Sequence, residues 1–439
     1  MMLLEKTEGI LKKNSRRIAI GYDLCDSYAQ ISYCFPDSKE PETLAVVTGT
    51  EQFNIPLVLC KKNGVNQWFY GREALKFAGE GEGVLVKDLL SLAREGEPVE
   101  IDGDSFDSVA LLTLFIKRSM SALGMIAPPE YLEGIMFTAD DLDKRMVDVF
   151  SRVAANLHLK TDKIFFQSHV ESFYYYTVYQ PEELWTYEVL LCDYDNRRMK
   201  VYALNSNRKT TPVVMYIDIE QYEQMRRREP EALTEMEETE KHLLDMQFLD
   251  IVKEKCKDRI ISCAYLIGDG YKEDWASESL KYLCMGRRVF MGNNLYGKGA
   301  CYGIREKLGW SEAGKNYAFL GLDKLKANIG MKVLRKGLDS YFAVMDAGVN
   351  WFEAGKEYDV ILEDGSDISI ILTPLNGKEA REIHMTLEGI PERPKRTTRL
   401  RIAMEMTSEN QVNIRVKDMG FGELFPSSGG EWVKTFDMV

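Results

Sequence analysis

One pattern constrains this chain more than any other, because it occurs twice. In "VLLCDYDNRRMKVYAL", residues 189 to 204, an apolar run breaks into two aspartates and two arginines and then resumes in apolar–polar alternation. Val189 to Cys192 reads as one strand, and Met199, Val201 and Ala203 alternate along the next. "IAIGYDLCDSYAQISYC", residues 18 to 34, has the same form, with Asp23 just ahead of its polar turn. Each is a pair of strands joined by a tight turn. A chain carrying two such pairs begins two sheets.

The segments after each pair extend the comparison. After the first come the strand "IPLVLC", the aromatic "WFYG", and residues 107 to 124, whose apolar spacing predicts a long helix started by Asp107 and ended by Gly124. "YLEGIMFT" is a buried strand. Thr138 with Asp141 reads as an acidic capping box for a helix striped by Leu142, Met146, Val149 and Val153. "KIFFQS" is a further strand, and 170–179 an aromatic-rich helix. This alternation is the grammar of an α/β domain. After the second pair, 219–258 reads as a charged helical insertion, followed by "AYLIGDGYKEDWASESLKYL", a strand, a glycine turn and a helix. The expected division is two similar halves, 16–186 and 187–322, within one domain.

Near residue 325 the periodicity changes. Asp-Gly and Asn-Gly turns cut the alternation of "YDVILEDGSDISIILTPLNGKEAREIHMTLEG". Leu400, Ile402, Met404 and Met406 then face one way, answered by Val412, Ile414 and Val416. Residues 325–439 are thus a separate antiparallel β domain, sandwich-like in expectation.

Composition excludes several classes of function. At 45% apolar and 28% charged residues the chain has the makeup of a folded protein. A net charge of −13 disfavours a phosphate-backbone partner, so no nucleic acid is expected. The eight cysteines include no Cys-x-x-Cys pair, and no histidine stands at zinc-ligand spacing, so neither a zinc site nor a Ser-His-Asp arrangement is expected. Free thiols in apolar runs, with no secretory leader, point to the reducing cytoplasm. No apolar run reaches membrane-spanning length, so no transmembrane segment is expected.

Asp23 in "IGYDLCDSY", Asp193 in "LLCDYDNRR" and the Gly268/Gly270 pair in "LIGDGYK" stand in an order that resembles the nucleotide-binding domain of the actin-like ATPase superfamily. There two hairpin turns hold phosphates with backbone N–H groups, and a carboxylate in each positions magnesium. "VLVKDLLSL", "EGIPERP" and the paired strands "TRLRIAMEMTSENQVNIRVKDMGFGE" narrow the likeness to the DnaK-type heat-shock chaperones. The resemblance spans roughly 18 to 425. It implies an actin-like α/β fold followed by a β domain, with ATP or ADP and Mg2+ as cofactors and a polypeptide or protein client as partner. Carried over residue by residue, Lys87 and Asp193 are catalytic, Asp23 and Asp193 hold the metal, and Ser27, Asp195, Gly268 and Gly270 contact the nucleotide.

The residues also admit plainer readings. Asp23 and Asp193 can be turn formers, Lys87 a surface lysine, the glycines strand-end turns, and Asp195 a solvated carboxylate. The loops depart from the family pattern. Cys25, Asp26 and Ser27 follow the first aspartate, and Tyr194, Asp195 and Asn196 follow the second, where the family has Gly-Thr-Thr and three glycines. The family's catalytic glutamate falls near Gln167 or Ser168. At most a weak ATPase is expected. Three functions remain open: a chaperone-like protein with a degenerate ATP domain coupled to a peptide-binding β domain; a pseudo-ATPase scaffold; and a filament-forming actin relative.

Overall fold

A computed structural model describes residues 17–47, 49–227, 236–374 and 379–438. The chain is a mixed α/β protein with several sheets and, among the described residues, no closed barrel, and it divides into two units at Phe319/Leu320. The expected boundary had been 322–325.

The first unit is built on two sheets. In the first, β1 (Ile18–Leu24) forms an antiparallel hairpin with β2 (Tyr28–Cys34), and β3 (Leu132–Ala139) and β4 (Ile164–Ser168) add in parallel on the other side of β1. Short strands Glu42–Thr43 and Ile55–Pro56 edge β2. In the second, β5 (Glu188–Tyr194) pairs antiparallel with β6 (Met199–Asn207), which pairs with β7 (Val213–Tyr222); β8 (Ile261–Ile267) and β9 (Arg288–Met291) add in parallel beyond β5. Tyr317–Phe319 closes the far edge. Both sheets therefore share the order parallel, parallel, hairpin, edge. Every residue of β1 is buried, which suits a strand apolar on both faces.

The repeat extends to register. Asp23 is the sixth of seven residues in β1 and lies opposite Gln30; Asp193 is the sixth of seven in β5 and lies opposite Lys200. Leu24 pairs with Ala29 and Tyr194 with Met199, so four residues close each hairpin.

Helix α1 (Ser108–Met120) starts at Asp107, whose carboxylate accepts from Ala110 N at 2.8 Å, as expected of a cap. The window Ser108–Met125 is long and apolar enough to cross a membrane, contrary to expectation, but half of it is buried and Val109, Leu112, Phe115 and Ile116 are core residues. Helix α2 (Lys144–Leu157) is capped by Asp143, which accepts from Met146 N at 2.9 Å. The expected Thr138–Asp141 box does not form, because Thr138 is still within β3, where its hydroxyl meets Ser172 Oγ at 2.7 Å. The expected insertion at 219–258 begins instead as the end of β7. Its helix, α4 (Glu238–Cys256), starts later, and 228–235 lie outside the described residues.

Two helices lie between the sheets. Helix α3 (His169–Val178) packs Val170, Phe173 and Tyr174 against Leu191, Tyr202 and Tyr265 of the second sheet. Helix α5 (Leu295–Lys307) packs Ala300, Cys301 and Ile304 against Ala19, Cys34 and Met136 of the first. Glycine allows this close approach: a Cβ on Gly299 would stand 2.0 Å from Ser172 O, and one on Gly21 would stand 2.4 Å from Gly297 O. Gly21 N donates to Cys301 Sγ at 3.1 Å.

The second unit holds two antiparallel four-stranded sheets. One orders β11 (Leu338–Met345), β10 (Ala327–Arg335), β13 (Asp367–Pro374) and β14 (Arg381–Thr386). The other orders β12 (Gly355–Leu362), β15 (Thr398–Ser408), β16 (Gln411–Asp418) and β17 (Glu431–Asp437). Leu400, Ile402 and Met404 are buried with Val412, Ile414 and Val416, the rows that alternation had set on one face. Asp418 anchors the end of β16. It takes a two-pronged ion pair from Arg393 at 2.9 and 2.7 Å, and accepts from Ser428 N, Ser428 Oγ and Gly420 N.

Candidate functional site

In both sheets the hairpin strands and their parallel neighbours end at one edge, and side chains gather there. β4 is parallel to β1 through β3, so the residue after β4 arrives beside Asp23. Ser168 caps α3 by accepting from Glu171 N at 3.3 Å, and this turns His169 inward at the first helical position. His169 Nε2 lies 2.7 Å from Asp23 Oδ1, with both residues almost fully buried. Tyr296 occupies the matching place on the second side, in the first turn of α5 after β9. Its hydroxyl donates to Asp193 Oδ2 at 2.8 Å.

These two side chains meet. The rings of His169 and Tyr296 stack at 3.9 Å with 5° between their planes. A continuous path therefore runs Asp23, His169, Tyr296, Asp193. It joins the two equivalent aspartates through side chains that sequence spacing did not single out. The signals were present as Ser-His at a strand-to-helix junction and Asn-Leu-Tyr at a helix start. Neither stands out without knowing which strand ends coincide.

The electrostatics follow from burial. Burial pushes the Asp193 carboxyl up to about 6, against the lowering pull of the Tyr296 hydroxyl and His169. Burial opposes charge on His169 as well, but Asp23, with help from Asp140 and Asp193, outweighs it and raises the imidazole. Burial lifts the Cys25 thiol and the Tyr296 phenol well above their usual ranges. Asp140 also feels burial, but His169 and Lys200 more than offset it and hold the carboxyl low. Lys200 Nζ lies 2.7 Å from Asp140 Oδ1 and Arg198 3.3 Å from Oδ2, so both side chains engage Asp140.

The other predicted site residues fall elsewhere or into structural roles. Lys87 is exposed after the strand Gly83–Val86 and, among the described residues, makes no hydrogen bond or ion pair with either aspartate. Asp195 is exposed and accepts from Arg197 N and Arg198 N at 2.9 and 2.8 Å. It caps its own turn, where Asn196 takes a positive φ of 68°. Ser27 is exposed, and its carbonyl accepts from Leu57 N at 2.9 Å. Gly268 has φ 102°, and a Cβ there would lie 2.3 Å from Tyr194 O; on Gly270 it would enter the Tyr194 ring. These glycines make room for the second hairpin. Gln167 donates to Ser172 Oγ at 2.7 Å, so His169, not Gln167 or Ser168, is the residue that reaches Asp23.

Magnesium with a nucleotide fits these residues poorly. A hydrated magnesium ion wants ionised carboxylates with free oxygens, whereas Asp23 and Asp193 each spend one oxygen on a neighbour and Asp193 resists ionisation below about 6. Asp26 and Asp195, both exposed in the hairpin turns, add negative charge where phosphates would approach.

A family of unknown function, DUF5716, matches through its C-terminal model over residues 40–322, more than half of the chain. The chain belongs to that family. A domain of unknown function, DUF8552, matches residues 324–438. Within the DUF5716 span lie His169, Asp193 and Tyr296, whereas Asp23 and Cys25 precede it. Among curated proteins no match was found.

Proposed function

We propose that this DUF5716 protein is a pseudo-ATPase scaffold of actin-like architecture, whose β unit binds another protein. Two sheets with the same strand order, and aspartates at the same position of each first strand, support the actin-like reading. The His169–Tyr296 stack carries the pseudo-ATPase reading, since it satisfies both aspartates from within the protein. Steady-state phosphate release from ATP with magnesium tests it. The expected rate is no higher than that of the Asp23→Ala, Asp193→Ala double variant. A faster rate in the natural chain overturns the reading.

The chaperone-like reading gains support from one place in the β unit. The edge strands β14 and β17 flank a groove lined by His384, Met385, Trp432 and Lys434, and Trp432 Nε1 donates to Glu388 O at 2.8 Å across it. Lys434 Nζ also donates to His384 O at 2.6 Å, so an extended polypeptide adding to either edge would displace these side chains and take over their backbone partners. Titration of extended peptides while following tryptophan fluorescence tests this reading. A saturable change lost in Trp432→Phe supports it, and no change at millimolar peptide removes it.

A further inference from the structure

A softer cation suits this site better than magnesium does. Asp23 stands one residue before the end of its strand, Cys25 opens the hairpin turn two residues later, and His169 enters from the start of α3. One ligand atom from each lies within 4.8 Å of the other two. Cys25 Sγ stands 3.9 and 4.0 Å from the two Asp23 oxygens, and His169 Nε2 stands 2.7 Å from one of them. Around a tetrahedral zinc ion with bonds of about 2.0–2.3 Å, such atoms sit roughly 3.3–3.6 Å apart. Movements of about half an ångström convert the present arrangement into a ligand triangle.

We propose that Asp23, Cys25 and His169 form a transition-metal site of the zinc class, with three protein ligands and a fourth position left for water. The donor set decides the class of ion. A thiolate and an imidazole favour zinc, cobalt or copper, whereas magnesium and calcium take oxygen. Charge balance agrees: two positive charges meet one thiolate and one carboxylate, and both the thiol proton and the proton held between His169 Nε2 and Asp23 leave as the ion enters. The stacked Tyr296 ring fixes the plane of the imidazole, and its hydroxyl is fixed in turn by Asp193. Cys25 is only half-buried, which gives the ion a path in.

A second observation points the same way. Gln30 lies directly opposite Asp23 in the ladder, so its side chain rises from the same face. It is fully buried; its amide nitrogen is satisfied by Asn54 and Asn293, but its Oε1 has no donor. A metal-bound water has a hydrogen to give on that face. His169 lies far in sequence from Asp23 and Cys25, which is why no zinc spacing is visible there.

Cobalt(II) titration of the full chain, stripped with chelator and without nucleotide, tests the site. The expected result is one ion per chain, with a thiolate-to-cobalt charge-transfer band and the strong visible bands of a tetrahedral ion, reversed by zinc(II). Cys25→Ser should abolish the charge-transfer band while leaving the circular dichroism unchanged, and His169→Ala should weaken cobalt affinity at least about tenfold. Cys25 stands in a turn, so its variant decides the matter even if His169→Ala fails to fold. Absence of saturable absorbance, or a charge-transfer band that survives in Cys25→Ser, overturns the proposal.

Discussion

Asp193 is held by a tyrosine hydroxyl and by burial, and the two have opposite consequences for charge. Because its carboxyl is pushed up to about 6, the folded state prefers it protonated. Its favourable contribution is complete below the ordinary aspartate value of about 3.9 and is lost as pH rises through about 6. An asparagine there still accepts from Tyr296 but never ionises. Asp193→Asn should therefore match the natural protein in stability near pH 4 and exceed it increasingly up to about pH 6, by at most about 3 kcal/mol. Denaturant midpoints of the metal-free protein between pH 4 and 8 check this. A constant difference across that range would contradict it.

Asp418 is the opposite case. Its Arg393 pair, with three further donors, outweighs burial and holds its carboxyl far below the usual range. That contribution is present above about pH 4 and is lost as acid protonates the folded state. Asp418→Ala leaves Arg393, whose side chain is 5% exposed, without its partner, and should cost the β unit about 3–5 kcal/mol at pH 7. Urea unfolding measures it. A cost below about 1 kcal/mol would mean water replaces the pair.

Among the elements, α5 is the one that most depends on close contact. Alanine for glycine inside a helix ordinarily gains about 1 kcal/mol. At Gly299 the added carbon would stand 2.0 Å from a backbone oxygen of α3, which cannot rotate away. The clash wins: Gly299→Ala should destabilise by about 1–3 kcal/mol in thermal or denaturant unfolding. Gly309→Ala removes a residue with φ 69° and open space around it, and so tests backbone conformation alone. The two hairpins were legible in sequence because apolar alternation and a polar turn are local signals. Asp107 as a cap was legible for the same reason. His169, Tyr296 and the glycine face of α5 were not, since their meaning depends on which strands end together and how closely two helices approach. The Thr138–Asp141 box failed on a related point: β3 runs past Thr138, and the helix begins only after Asp143.

For the whole molecule, the chain divides into two units at Phe319/Leu320, a few residues before the change of periodicity near 325, and each unit has its own buried residues. Residues 320–439 expressed alone should fold cooperatively, with urea unfolding of the fragment sensitive to Asp418→Ala as in the full chain; a non-cooperative fragment would contradict this. In the first unit, the equivalent aspartates support the proposed likeness to nucleotide-binding domains, and their internal partners support the proposal that the chain does not bind nucleotide. Isothermal titration of Mg-ATP and Mg-ADP into the metal-free full chain tests that claim most directly. No saturable heat is expected at millimolar nucleotide. Saturable binding that disappears in both Asp23→Ala and Asp193→Ala would contradict it.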